Sequence, residues 1–152
     1  GQERGLRSST ENVPGIVGLG KATEIAMASM SEDVARMVGM RDRIIDAVLE
    51  IEGSALNGPR TRRLCNNTHF RFDGVKGTDL VLKLNRLGFA TSTASACSAG
   101  DTEPSHVLSA IGLNAEQALS SLRVTISQLN TDEDIDALLE ALPGAIAECR
   151  SQ

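Results

Sequence analysis

The sequence predicts an α/β domain in which a small sheet is covered by helices. Three observations carry that expectation. Apolar residues recur at helical spacing over long stretches toward both ends of the chain, residues 121–127 alternate strictly between apolar and polar, and short strand patterns between them are interleaved with short helical ones. At 152 residues the chain is long enough for one domain with its own hydrophobic core and too short for two comfortable ones.

Residues 1–10 form a polar arm that cannot bury itself, and with no initiator Met the chain is expected to be a piece of something longer. Pro14 suits the first turn of a helix and Asn12 its cap. Ile16, Leu19, Ile25 and Met30 then recur loosely at helical spacing, weakened by Gly15, Gly18 and Gly20. From Ser31 the pattern is stronger. Val34, Val38, Ile44, Ile45, Val48 and Leu49, with Arg41 among them, leave charged residues on the opposite face and predict a long helix ending near Glu52-Gly53.

Residues 54–58 are a short strand candidate closed by the turn signal Gly58-Pro59. Residues 68–72 alternate as a strand and stop at Asp73-Gly74. Thr78 is placed to cap a helix with Leu80, Leu84 and Leu87 on its apolar face and Gly88 as its stop. Residues 89–91 read as a short strand. Pro104 opens a helix carrying Val107, Leu108 and Ile111 and ending at Gly112, and Asn114 caps one more turn through Leu119. In residues 121–127, Leu122, Val124 and Ile126 face one way and Arg123, Thr125 and Ser127 the other, so Arg123 is held on a rigid strand. Thr131-Asp132-Glu133-Asp134 resembles a capping box and opens a last helix with Ile135, Leu138, Leu139, Leu142 and Ile146 inward; Pro143-Gly144 is expected to kink it.

A net charge of -5 and a sequence pI near 5.0 give no overall field toward nucleic acid or anionic membranes. No apolar run reaches membrane-span length and no signal-peptide pattern opens the chain, which reads as cytosolic. Cys65, Cys97 and Cys149 are odd in number, far apart and free of metal-ligand spacing, so they read as three free thiols rather than a disulfide framework or a zinc site. There is no GxGxxG after a strand, no Walker motif, no Ser/His/Asp arrangement and no internal repeat. Arg60, Arg62 and Arg63 read as a solvated loop, and His69 as a histidine at a strand surface or in a hydrogen-bonded core.

Cys97 stands apart from the other two thiols. A free cysteine usually packs as a small hydrophobe among larger apolar side chains, yet between Thr91 and Pro104 nothing apolar is larger than Ala. A thiol in such a segment is expected to be exposed and mobile, where functional groups gather.

Four stretches then fall in one order across nearly the whole chain: Gln2-Glu3-Arg4-Gly5-Leu6-Arg7-Ser8-Ser9-Thr10-Glu11-Asn12, Ser95-Ala96-Cys97-Ser98-Ala99-Gly100, Glu103-Pro104-Ser105-His106-Val107-Leu108 and Ser121-Leu122-Arg123. Together they resemble the C-terminal part of a pyridoxal-phosphate-dependent cysteine desulfurase of the NifS/IscS type. The resemblance implies the small C-terminal domain of a fold-type I, aminotransferase-like enzyme. Residues 1–12 would be an arm from the cofactor-domain side that contacts the partner subunit, and residues 13–152 the small domain with its catalytic cysteine loop at 91–104.

The same resemblance implies that Cys97 takes sulfur from L-cysteine as a persulfide and leaves L-alanine, for iron-sulfur cluster assembly or thio-modification. Arg123 would grip the substrate carboxylate, and Thr10 would donate to the cofactor phosphate across a homodimer interface. A sulfur acceptor or iron-sulfur scaffold protein is the implied partner. Pyridoxal 5'-phosphate would be held mainly by the part of the enzyme upstream of this chain, where the family places its aldimine lysine and stacking histidine. None of Lys21, Lys76 or Lys83 stands in the lysine motif, His106 is taken as structural, and the chain by itself is expected to be inactive. The sequence departs from the family pattern at Ser9 and Ala94, usually Gly, at Cys65, usually Pro, and at Gln128, often Arg. A reading from another class is a stand-alone sulfur carrier that accepts persulfide on Cys97 without a cofactor of its own.

Overall fold

The computed structural model describes residues 2–93 and 104–151. In chain order its elements are a short 3-10 turn at Glu3–Gly5, then α1 (Val13–Leu49), β1 (Ser54–Leu56), β2 (Asn67–Phe72), α2 (Gly77–Arg86), α3 (His106–Ala110), α4 (Ala115–Leu119), β3 (Ser121–Thr125) and α5 (Asp132–Arg150). The chain divides into two compact units, one running to Val34 and the other starting at Ala35. Among the described residues no helix is long and apolar enough to cross a membrane.

In the first unit the polar residues before α1 are exposed. Asn12 does cap α1, its Oδ1 accepting from the Gly15 N–H at 3.2 Å. The glycine-rich stretch that follows is helical too, as part of a single helix of 37 residues. Each Gly costs a helix about 1 kcal/mol relative to Ala, but extending an existing helix is cheap compared with nucleating one.

The second unit holds the hydrophobic core. Met40, Ile44, Ile45 and Val48 of α1 pack with Leu80 and Leu84 of α2 and with Ile135, Leu138, Leu142 and Ile146 of α5. All three helices cover one face of an antiparallel sheet of strand order β1-β2-β3. That face is built by alternation: Thr68, Phe70 and Phe72 of β2 are buried, and β3 adds Leu122 and Val124. Burying each Phe contributes about 1.5–3 kcal/mol relative to leaving it in water. The β2–β3 register pairs Phe70 with Leu122 and Thr68 with Val124, and Leu56 of β1 lies opposite Phe70. A small sheet covered by helices is therefore the observed architecture.

Several boundaries differ from the sequence pattern, each for a physical reason. The first helix stops at Leu49 because residues 50–53 turn, with the Ile51 N–H on Val48 O and Gly53 at φ +71. The second helix starts at Gly77 rather than after a Thr78 cap; Lys76 is its N-cap and makes no side-chain cap bond. Close packing sets that start, since a Cβ on Gly77 would lie 2.4 Å from Ser121 O, 3.0 Å from Leu119 O and 2.9 Å from the Thr93 methyl. Leu87 is exposed, and Gly88 at φ +93 ends the helix as expected.

Residues 89–91 form no strand. Only Ser92 bridges to β3, exchanging backbone hydrogen bonds with Arg123 at 3.2 and 2.6 Å. The third helix starts at His106 with Ser105 as N-cap, two residues beyond Pro104. The expected capping box of Thr131 with Asp134 is present at α5, and the expected Asn114 cap of α4 is one side of a second box with Gln117. The last helix passes through Pro143 as one element, with Pro143 and Gly144 on its exposed side. Ion pairs of Arg43 with Asp132 and Asp136, and of Lys83 with Glu148, tie α1 and α2 to α5 at the surface, where such pairs contribute about 0–1 kcal/mol each.

The contact at Gly77 generates a test. Gly77→Ala should lower stability by about 1–3 kcal/mol through overpacking against fixed backbone carbonyls. Urea unfolding would show a lower midpoint with an unchanged slope, and an unaltered midpoint would mean that α2 is free to shift.

Candidate functional site

The face of the sheet turned away from the helical core is polar. Alternation in β2 puts Asn67, His69 and Arg71 on it, and the register sets His69 opposite Arg123 and Arg71 opposite Ser121. Asn57 continues the line of β1, its N–H donating to His69 O at 2.8 Å. Its side chain is buried, at 5% exposure, and every polar atom of it is used. Oδ1 accepts from Arg71 NH1 at 2.9 Å, while Nδ2 donates to Ser121 Oγ at 3.1 Å and meets His69 Nδ1 at 2.9 Å. Ser121 Oγ passes its own hydrogen to Gln117 O at 2.7 Å.

Donor logic fixes the protonation pattern. Arg71 can only donate, so the Asn57 atom facing it is Oδ1, which leaves Nδ2 toward His69. His69 Nδ1 must then accept, and the ring hydrogen sits on Nε2. Burial, the charge of Arg123 and the charge of Arg63, in that order, push the His69 pKa down to about 4 against a small opposing pull from the Phe70 backbone. The ring is neutral at physiological pH.

The arginines around it divide into two kinds. Arg63 donates to Asn57 O at 2.7 Å, to Pro59 O at 2.9 Å and to Asn67 O at 3.3 Å, closing the loop before β2. Arg60 of the same cluster pairs with Asp46, and Arg62 is exposed. Arg71 is held by Asn57. Arg123, half-buried on β3, makes no side-chain hydrogen bond or ion pair with any described residue. Among the described residues no Asp or Glu pairs with Arg63, Arg71 or Arg123. A planar guanidinium on an acid-free face is suited to a carboxylate ligand, which it can grip through two parallel hydrogen bonds.

Cys97 lies outside the described residues. The chain on its near side is anchored beside Arg123, because Ser92, five residues earlier in the sequence, is the bridge partner of Arg123. Thr91 Oγ1, next to that anchor, is buried without a hydrogen-bond partner among the described residues. The other thiols are half-buried, and burial is the main cause that raises the Cys149 pKa, the wrong direction for a nucleophile. His106 is exposed at the start of α3. A cleft of about 750 Å³ beside Asp73, Lys76, Asn114 and Gln117 is lined by neither His69 nor Arg123.

Thr10 is exposed in the first unit, and its carbonyl accepts from Arg7 NH1 at 3.5 Å. The described residues do not make up a cradle for pyridoxal phosphate. An aldimine needs a lysine amine that is sheltered and readily deprotonated, whereas Lys21 pairs with Glu24 on the surface, Lys83 pairs with Glu148 and Lys76 is exposed.

Sequence reasoning placed Arg123 on its strand but missed Asn57, read only as part of a short strand, and missed the facing of His69 and Arg123. Period-two alternation in both strands signalled which face each occupies. The register that brings them together has no local signal.

The family model for class-V aminotransferases matches residues 1–138. Cysteine desulfurase IscS 1 of Archaeoglobus fulgidus is 52% identical over 151 residues, which are 99% of this chain and 40% of that protein. Cysteine desulfurase IscS of Methanosarcina thermophila is 46% identical over 150 residues, 99% of this chain and 37% of that one. Among solved structures, a NifS-like protein superposes with a TM-score of 0.84 at 32% identity, covering 97% of this chain and 37% of its own. The chain thus spans about 40% of the length of the curated relatives it matches.

The lowered His69 pKa has a sign that can be tested. Its folded value, about 4, lies below the unfolded value near 6.5, so between them the unfolded chain binds more protons and stability must fall as pH drops through that window. His69→Asn should remove this contribution, so urea midpoints at pH 7.5 and 4.5 differ less in the variant than in the parent protein. Equal losses in both would show that His69 is not held neutral.

Proposed function

The chain belongs to the class-V aminotransferase family, and we propose that it is the C-terminal portion of a cysteine desulfurase. The observation that carries this reading is Arg123: a guanidinium with no side-chain partner among the described residues, on a sheet face where no described Asp or Glu pairs with an arginine, whose backbone anchors the segment leading to Cys97. The names of two similar relatives, both cysteine desulfurases, support it. A stand-alone sulfur carrier would have no use for a carboxylate-binding arginine at that place.

In this reading Arg123 holds the carboxylate of L-cysteine while Cys97 approaches the substrate sulfur as a thiolate. The carbon–sulfur bond breaks, a sulfur–sulfur bond forms on Cys97, and the electron pair left on carbon takes up a proton to give L-alanine. Thiol plus cysteine thus become persulfide plus alanine, with no external oxidant. Pyridoxal phosphate, bound by the rest of the enzyme, supplies the electron sink for that carbon. A segment of Ser, Ala, Thr and Gly suits a thiol that must reach both substrate and acceptor.

The remaining assignments follow from the same reading. Residues 1–12 are the arm that reaches the partner subunit of a homodimer, with the exposed Thr10 hydroxyl donating to the cofactor phosphate there. Residues 13–152 are the small domain with the loop at 91–104. The persulfide passes to a sulfur-acceptor or iron-sulfur scaffold protein in the cytoplasm, where free thiols persist.

Two variants of the complete enzyme test this. Arg123→Ala should weaken cysteine binding by about 1.5–3 kcal/mol, the range for a charge-assisted hydrogen bond, and an unchanged KM would remove the carboxylate role. Cys97→Ser should release almost no alanine in a single turnover, a loss of several orders of magnitude, whereas Cys65→Ser and Cys149→Ser turn over nearly normally. Alanine release from Cys97→Ser at the parent rate would sink the assignment.

A further inference from the structure

A guanidinium inside a protein normally finds an acceptor among its neighbours, so the availability of Arg123 needs a cause. We propose that His69 is a positioning residue for Arg123: fixed by Asn57, it sets a neutral ring with no spare acceptor opposite the guanidinium and leaves its donors to a carboxylate ligand. The proposal rests on the reading of Arg123 given above.

The argument runs through the donors. His69 and Arg123 are direct partners in the β2–β3 register, and side chains so placed have Cβ atoms about 4.5–5.5 Å apart. Position 69 therefore governs where the Arg123 side chain can go. A carboxylate there would capture the fork, as opposite charges across strands do. A neutral imidazole offers one lone pair, and Asn57 Nδ2 occupies it at 2.9 Å. What remains on the ring is an N–H, which cannot accept. Asn57 cannot flip to release that lone pair, because Oδ1 is required by Arg71 NH1 and Nδ2 by Ser121 Oγ.

Among the described residues, the charged groups that act on His69 favour the neutral ring. Arg123 approaches from β3 and Arg63 from the segment before β2, and Arg71 shares its strand face two residues on. No acid among the described residues pairs with any of them. A protonated His69 would meet the charges of Arg123 and Arg63 and, among the described residues, no compensating anion, and a ligand carboxylate would supply one.

The test is a double-mutant cycle on the complete enzyme loaded with pyridoxal phosphate, reading kcat and KM for L-cysteine, the inhibition constant of L-alanine, and the urea midpoint of every variant. His69→Glu should raise KM by about tenfold or more, the scale for losing a charge-assisted contact, with kcat within about threefold. His69→Asn, which offers Asn57 an acceptor and carries no charge, should keep KM within about threefold of the parent value. In the Arg123→Ala background His69→Glu should add nothing to KM, and the alanine constant should follow KM throughout.

An unchanged KM in His69→Glu, or an equal rise in the Arg123→Ala background, overturns the proposal. If Arg123→Ala itself leaves KM unaltered, the carboxylate role of Arg123 falls first, and that outcome is separate from failure at His69. Should His69→Glu not fold, His69→Gln replaces it. Its longer neutral amide carries a spare oxygen to Arg123, so a KM rise of about threefold that vanishes in the Arg123→Ala background is expected, and a KM equal to the parent's overturns the proposal.

Discussion

The pairing of β2 with β3 is the constraint on which the second unit depends. Side chains alternate across a sheet, so a slip of one residue would turn Phe70 and Phe72 out to water and bring His69 and Arg71 against α1, α2 and α5. The two aromatic side chains, both fully buried, make that slip costly. The same burial that holds the core thus sets His69 opposite Arg123 on the other face. Core and site are two faces of one register, and selection for packing on one side preserves geometry on the other.

Charge is distributed with the same economy. Three arginines converge on the polar face, and two of them are spent on structure: Arg63 closes a loop through backbone carbonyls and Arg71 orients the Asn57 amide. Neutral acceptors satisfy their hydrogens without cancelling their charge. The face therefore keeps a positive potential, while of the three only the Arg123 side chain is without a hydrogen-bond or ion-pair partner among the described residues. An acid supplied by the protein would have stabilised the local fold more strongly, and would have left nothing for a ligand to bind.

Much of this was legible in the sequence. Helical periodicity located α1 and α5, the Thr131 capping box and the Asn12 and Asn114 caps were visible as residue patterns, and the alternation in β3 placed Arg123 on a strand. Local rules failed where distant backbone decided. Thr78 looked like a cap, but α2 begins at Gly77 because only a residue without Cβ fits against Ser121 O and Leu119 O. Residues 89–91 looked like a strand, but among the described residues outside the named strands only Ser92 bridges to β3. Asn57 sat inside a short strand pattern, and its role appears only when three strands bring Arg71, His69 and Ser121 around it.

The close approach at Gly77 and the bridge at Ser92 bear on the cysteine segment together. Thr93 lies against Gly77, and Ser92 is hydrogen-bonded through its backbone to Arg123, so the start of that segment is held from two sides just before residue 94. The anchor and the arginine share one strand. A displacement of β3 would move both in the same direction, so the distance between Arg123 and the root of the cysteine segment is set locally rather than through the helical core. A thiol that has to meet one atom of a bound substrate and then a second protein needs freedom along its own segment but a fixed origin. In the proposed reading β3 provides that origin, through the backbone bridge between Arg123 and Ser92.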